Sequence, residues 1–305
     1  MTIILNDDHL KAHSFMSIAI NAVERAFISH TEGATVSPPR HHVSFGQHGD
    51  LVFTVGGTLG ETPLAGFRVY DTFAGSEHTQ IVAVWSASDA KLKGLIFGER
   101  LGAIRTGAIG GVAIKHLSAP EARTVGVIGS GLQARTQLAA AASVRNITLA
   151  KVYSRDETNR TAFAREMQAE LGIEVKPVAS VKDAIIDADI VICATSSSQP
   201  VITASDLKAG VHINTVGPKT LNAHELGVDV AGLAKIIATD SIAQTRAYAS
   251  PFFLHGSGHE QRIVELSEIV AGRLPGRTGE EMTLFCSVGL AGTEVAVASA
   301  IFDSL

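Results

Sequence analysis

Residues 124–136 read Thr-Val-Gly-Val-Ile-Gly-Ser-Gly-Leu-Gln-Ala-Arg-Thr, and this stretch decides the fold. The apolar run from Val125 to Ile128 reads as a short buried strand. It breaks into Gly129-x-Gly131-x-x-Ala134, and helix-forming residues follow at once from Gln137 to Ala142. Strand, tight turn and helix start in that order are the setting of a dinucleotide fingerprint. Gly129 makes the turn, Gly131 lets the backbone approach a pyrophosphate, and Ala134 lets helix and strand pack closely. The helix start adds unpaired N–H groups and a partial positive charge that suit phosphate oxygens. Ser130, Leu132 and Gln133 complete the candidate nucleotide turn.

Outward from this turn, strand-like runs at 124–128, 147–153, 173–176, 189–194, 211–216 and 235–239 alternate with helix-like runs at 132–143, 158–171 and 180–187. That alternation predicts a doubly wound parallel sheet of the Rossmann type, an α/β fold. Composition agrees. The chain of 305 residues is 46% hydrophobic and only 5% aromatic, with a mean hydropathy of +0.23, as expected for parallel strands buried on both faces.

The first 115 residues have another rhythm. Phe15 to His30 fits an amphipathic helix with Ile18, Ala22, Ala26 and Ile28 on one side. Strand-like runs at 51–55, 64–73, 80–85 and 92–97 then succeed one another without helices between them, which predicts an antiparallel or mixed sheet. A helix is expected over 99–116, and another over 294–305 that packs back on the first domain. The plan is a split α+β substrate-binding and dimerisation domain, 1–118 with 284–305, into which a Rossmann dinucleotide-binding domain, 119–283, is inserted.

A net charge of −5 gives no reason to expect nucleic acid as a partner. No apolar run reaches the roughly 18–20 residues of a membrane span, and the N-terminus does not read as a signal peptide. Cys193 and Cys286 both lie in apolar runs and read as buried free thiols, which places the protein in the cytoplasm. The twelve histidines show no zinc spacing: His41 and His42 are adjacent, and His255 with His259 lacks a companion ligand. No metal is expected. No Gly-x-Ser-x-Gly elbow supports hydrolysis.

The second strand of the nucleotide domain ends at Tyr153-Ser154-Arg155-Asp156. A hydroxyl and a guanidinium at that point suit a ribose 2′-phosphate, so NADP(H) is favoured over NAD(H). The alternative is that Arg155 is solvated and Asp156 takes the ribose hydroxyls of NAD.

Four ordered stretches resemble the ornithine cyclodeaminase/μ-crystallin family. They are Arg105-Thr106-Gly107-Ala108, the Gly129–Ala134 turn, Asn214-Thr215-Val216-Gly217 running on to Glu225-Leu226, and Phe285-Cys286-Ser287-Val288-Gly289-Leu290-Ala291. The resemblance implies homodimers joined through the split domain, with the active site between the two domains. It implies hydride transfer between an amino-acid α-carbon and a nicotinamide, on a small imino- or amino-acid substrate. It further implies that Arg40, Arg68 and Arg105 hold the substrate carboxylate. Two forked donors on an α-carboxylate fix the α-carbon in line with a hydride donor. Thr195 and Ser196, Val216 and Gly217, and Ser287 and Gly289 fall where the family contacts its nucleotide.

Two positions depart from the family pattern. Arg68 stands where lysine is common. Lys219, the third residue of Gly217-Pro218-Lys219, stands where cyclodeaminases carry an aspartate. Lys219 is therefore the candidate proton donor to an imine nitrogen, its pKa lowered by neighbouring cations, and Arg68 is the second candidate catalytic residue; the alternative is that Lys219 points to solvent or binds a cofactor phosphate. A pocket with four cations disfavours ornithine, whose second amine would meet no carboxylate. The expected activity is reduction of imino acids or cyclic ketimines, such as Δ1-pyrroline-2-carboxylate to L-proline, reversible as an amino-acid dehydrogenase. The alternatives are an ornithine cyclodeaminase and, in another class, a non-catalytic crystallin-like NADPH- or ligand-binding protein.

Overall fold

Strands that follow one another directly can pair as hairpins, and between residues 35 and 97 they do. The computed structural model describes residues 2–11, 15–75 and 78–305. It contains two compact units, residues 1–108 with 289–305 and residues 109–288. The first holds β1 (Ile3–Asn6), β2 (Thr35–Val36), β3 (His41–Ser44), β4 (Asp50–Thr58), β5 (Leu64–Asp71), β6 (Ile81–Ser86) and β7 (Lys91–Phe97). They form one mixed sheet in the order β1-β7-β6-β5-β4-β2, with β3 also on β4 and only the β1–β7 pair parallel. The short strands β1, β2 and β3 escaped the sequence reading because two to four residues show no period.

One face of this sheet is covered by the C-terminal helix Thr293–Phe302, which lies against β4–β7 and against the helix Met16–Thr31. The latter buries Met16, Ala19, Ile20, Ala22, Val23, Ala26 and Phe27, a stripe of helical period. Ile28, expected on that stripe, is 38% exposed. It stands one position past Phe27, about 100° round the helix, and so leaves the buried face.

The second unit holds β8 (Thr124–Ile128), β9 (Leu149–Tyr153), β10 (Glu174–Pro177), β11 (Ile190–Cys193), β12 (His212–Thr215), β13 (Lys219–Thr220), β14 (Ala223–His224), β15 (Ile236–Thr239), β16 (Ile263–Glu265) and β17 (Thr283–Cys286). Eight of them make a parallel sheet in the order β10-β9-β8-β11-β12-β17-β15-β16. Val125, Val127, Ile190 and Ile192 join a core on one face with the helices Leu132–Val144 and Glu157–Leu171. Ile128, Val191, Cys193 and Ile213 face the other core. Burial on both faces is why these strands read as unbroken apolar runs. The six strand runs expected after residue 122 correspond to β8–β12 and β15. The apolar run at Cys286 is β17, which reaches its place between β12 and β15 from far along the chain, while β16, three residues long, has no counterpart in the sequence reading. The sequence put the domain joints at 118/119 and 283/284; the compact units divide at 108/109, inside the helix Arg100–Leu117, and at 288/289.

A buried polar chain crosses the second unit. His212 places Nδ1 2.8 Å from Thr283 Oγ1 and Nε2 2.8 Å from Asn214 Oδ1. Asn214 Nδ2 donates to Gly110 O at 3.1 Å and to Gln137 Oε1 at 3.2 Å, and Thr283 Oγ1 donates to Leu117 O at 2.8 Å. Full burial pushes the imidazole pKa down to about 3, so the ring is neutral in the fold. In the unfolded chain it titrates near ~6.5. As pH falls below that value the unfolded state gains a proton that the folded state refuses. Stability then drops by about 1.4 kcal/mol per pH unit from this group until the folded pKa is reached. We expect His212→Gln to be less stable than the native chain at pH 7, and the gap in urea midpoint to narrow steadily between pH 6 and pH 4. A gap that is constant with pH would remove His212 as the responsible group.

Candidate nucleotide and carboxylate sites

The nucleotide turn is forced by its glycines. Gly129 has φ +111°, and a Cβ there would lie 2.2 Å from the carbonyl oxygen of Ala194, so no side chain fits. Gly131 begins the helix Leu132–Val144 in extended backbone, and a Cβ on it would meet nothing within 4 Å. The space beside it is an open cleft of about 850 Å³. The cleft opens at the carboxyl ends of β8, β9 and β11. There the strand order reverses, which is where nucleotides bind in sheets of this kind. Gly129, Ser130, Gly131 and Gln133 line it from the turn, Ser154 and Arg155 from the end of β9, and Thr195 and Ser196 from the end of β11. Ala134 is fully buried beneath the turn. Of the other expected cofactor residues, Leu132, Val216, Gly217, Ser287 and Gly289 do not line this cleft. Ser287 is buried, its hydroxyl 3.4 Å from Asp240 Oδ2, and the Val288 amide donates to Asp240 Oδ1 at 2.7 Å.

The end of β9 has a clear division of labour. Asp156 accepts a hydrogen bond from the Asn159 amide at 2.8 Å and caps the helix Glu157–Leu171, the usual work of a short acid at a helix start. The Ser154 hydroxyl donates to the Asp156 carbonyl at 3.0 Å. Arg155 is exposed. A cradle without side chains, a helix N-terminus and a polar strand end together fit a dinucleotide.

In the first unit, three arginines converge. Arg68 leaves β5 on the face shared with Gly66 and Tyr70, and its guanidinium lies 4.5 Å from the Tyr70 ring centroid. Its Nε and Nη2 donate to Gln80 Oε1 at 2.9 and 2.6 Å. Arg105, 3% exposed, donates through Nη2 to Glu294 Oε1 at 2.5 Å, and Arg68 Nη1 reaches the same oxygen at 3.3 Å. Arg40 closes the group. A Cβ on Gly289, at φ +89°, would lie 2.3 Å from Arg40 Nη2 and 2.9 Å from Arg105 Nη1. Gly289 therefore sits with the arginines, where a backbone without a side chain lets both guanidiniums approach.

Glu294 is 1% exposed, at the first turn of the C-terminal helix. Burial pushes its pKa up, but Arg105 and Arg68 outweigh that and hold it below the usual carboxylate range. Burial lowers the Arg68 pKa, with Glu294 opposing. Arg68 and Arg105 thus share one carboxylate oxygen, with Arg40 beside them. Arg105 Nε, Glu294 Oε2 and Thr54 Oγ1 are buried without hydrogen-bond partners, and Thr54 stands directly across the strand pair from Arg68. Unsatisfied buried polar atoms are rare in native folds. Converging guanidiniums with a donor left over at Arg105 Nε are suited to a carboxylate ligand. The sequence reading missed Glu294 and Gln80. An acid embedded in the apolar run Val295-Ala296-Val297-Ala298 was the available signal for the first; none marked the second.

Lys219, in the second unit, is 5% exposed on the two-stranded ribbon β13–β14, and its Nζ donates to the Gly217 carbonyl. It is not a solvated surface lysine. Its neighbour Glu225 is fully buried and accepts from the Thr195 amide at 2.6 Å, the Gly217 amide at 2.6 Å and the Thr215 hydroxyl at 2.9 Å. His41 and His42 lie exposed on β3, and His42 Nδ1 is 3.2 Å from Asp50 Oδ2. Among the described residues no group of three potential metal ligands occurs, and no helix is long and apolar enough to cross a membrane.

The chain is similar to the Δ1-pyrroline-2-carboxylate reductase of Bacillus cereus, 36% identical over 215 residues that cover 68% of this chain and 66% of that protein. The matched region thus spans just under two thirds of that relative's length. Among solved structures, that of Thermococcus litoralis Δ1-pyrroline-2-carboxylate reductase in complex with NADH and L-proline superposes with a TM-score of 0.87 at 32% identity, covering 99% of this chain and 97% of that one. An archaeal alanine dehydrogenase dimer with bound NAD superposes with a TM-score of 0.87 at 27% identity, covering 99% of this chain and 95% of its own. The profile of the ornithine cyclodeaminase/mu-crystallin family matches residues 1–305 from end to end, and the chain belongs to that family.

Proposed function

We propose that the protein is an NAD(P)H-dependent reductase of imino acids. A cyclic ketimine such as Δ1-pyrroline-2-carboxylate becomes L-proline, and the reverse reaction is an amino-acid dehydrogenation. The observation that carries this reading is the convergence of Arg40, Arg68 and Arg105, in a chain that also builds a dinucleotide cleft. The named activity of the Bacillus relative, and the NADH and L-proline in the Thermococcus structure, support it. The dinucleotide supplies the hydride that reaches the imine carbon. Arg40, Arg68 and Arg105 take the α-carboxylate and fix that carbon in place. Lys219 Nζ gives a proton to the imine nitrogen as its C=N bond becomes a C–N bond. A lysine where cyclodeaminases carry an aspartate argues against ornithine, whose side-chain ammonium would meet a like charge.

Ser154 and Arg155 support NADP(H) over NAD(H), since Asp156 at that strand end is engaged in capping a helix. The Thermococcus relative holds NADH, so the finer preference rests on these two residues. The working form is a homodimer in the cytoplasm, where two buried unpaired thiols stay reduced. The outer face of the first unit's sheet carries Phe53 and Val55 on β4, Phe67 on β5 and Trp85 on β6, with the Phe67 and Trp85 rings 5.8 Å apart. Val55 is 51% exposed. A continuous apolar face of this kind suits a second copy, and the archaeal alanine dehydrogenase is described as a dimer.

Purified protein should oxidise NADPH with pyrroline-2-carboxylate or piperideine-2-carboxylate, and Lys219→Met should lower kcat about 100-fold, within the usual range for a lost general acid, while NADPH still binds. NADPH binding with no turnover on either imine would move the reading to a ligand-binding protein, and proline with ammonia from ornithine to a cyclodeaminase. Arg155→Ala should raise KM for NADPH about tenfold or more and leave KM for NADH within about twofold, the loss of one charge-assisted phosphate contact; equal effects would remove the NADP(H) preference. Val55→Asp should halve the mass seen by light scattering. An unchanged mass would put the dimer contact elsewhere.

A further inference from the structure

Glu225 lies outside the nucleotide cleft and outside the arginine cluster, yet it ties together the two loops that the proposed reaction needs. One oxygen accepts from the Thr195 amide, in the loop after β11 that lines the cleft. The other accepts from the Gly217 amide and the Thr215 hydroxyl, where β12 gives way to the Lys219 loop. Both amide bonds are 2.6 Å long, and charge-assisted bonds of this kind are about twice as strong as neutral ones. Gly217 is then gripped at both ends. Its N–H goes to Glu225 and its carbonyl takes the Lys219 ammonium. A Cβ on Gly217 would lie 2.4 Å from Glu225 Cδ and 2.3 Å from the Thr195 carbonyl, so loop and carboxylate are fitted to each other.

We infer that Glu225 is a positioning residue that locks the cofactor loop after β11 to the Lys219 loop, so that dinucleotide binding and the orientation of the Lys219 ammonium are set by one buried carboxylate. The second half of this statement rests on the imine-reductase reading; the first half does not. In Glu225→Gln one of the two oxygens becomes an NH₂ that faces an amide N–H, so one loop must let go. Gly217→Ala keeps the carboxylate and its charge but displaces it from both amides.

The test is calorimetric titration of each folded variant with NADPH, together with kcat on the preferred imine. Both variants should bind NADPH about tenfold more weakly, the loss of one good hydrogen bond, and Glu225→Gln should lower kcat about tenfold. In the Lys219→Met background Glu225→Gln should weaken NADPH binding by the same factor but cost no further kcat, because the catalytic effect runs through Lys219. Binding within twofold of the native protein in both variants overturns the lock. Losses in kcat that multiply in the double variant overturn the link to Lys219. If the native protein turns over no imine, the titration still decides the lock, and only the imine-reductase reading fails. Should Glu225→Gln not fold, Gly217→Ala carries both measurements.

Discussion

Three guanidiniums can be held together in a protein interior only if something cancels part of their charge, and here that is Glu294. Moving even one ion out of water costs several kcal/mol after relaxation, unless a partner and hydrogen bonds repay it. Arg105 spends its shortest bond on Glu294, and Arg68 divides its donors between Glu294, Gln80 and the face of Tyr70. One carboxylate oxygen serves both Arg68 and Arg105. Glu294 sits at the start of the last helix, and Gly289 immediately upstream leaves room for Arg40 and Arg105. The final seventeen residues therefore serve the cluster as much as they cover the sheet.

The same economy recurs at the ends of the parallel strands. Apart from the His212–Asn214–Gln137–Thr283 chain, the side chains buried between sheet and helices are largely apolar, and carboxylates gather where strands end. Asp156 caps a helix, Asp240 holds the Val288 amide, and Glu225 holds two loops. Each is a carboxylate accepting backbone N–H groups, which satisfies donors that a turn cannot pair internally. Rigid loops on a rigid sheet are what let a fold place reactive atoms reproducibly.

Much of this was legible in the sequence because local chemistry dictated it. The Gly129 turn could be read because φ +111° admits only glycine there, and the strand–turn–helix context is short and contiguous. The parallel strands announced themselves as apolar runs, the one at Cys286 included, but the place of β17 between β12 and β15 could not be read because those partners lie far away in sequence. Arg40, Arg68 and Arg105 were found through a family resemblance, and the structure brings them together. What could not be read was how they are held. Glu294 follows Arg68 by 226 residues, and no periodicity reports a contact of that range. The place of Gly289 in its motif points to the nucleotide and says nothing of its neighbours in space. Its packing against two guanidiniums is a fact of the third dimension.

The residue at 219 bears on proton transfer. In the proposed reaction an ammonium carries the proton that imine reduction consumes. Oxidation of an amino acid needs the opposite, a base that takes a proton from the substrate nitrogen, and a lysine serves only after losing its own. A carboxylate at the same position would be ready to accept at neutral pH and poor at giving. Burial of Lys219, with its Nζ on the Gly217 carbonyl, keeps it among donors and acceptors rather than in bulk water. On the proposed reading, the exchange of aspartate for lysine puts a proton donor where a cyclodeaminase carries a proton acceptor.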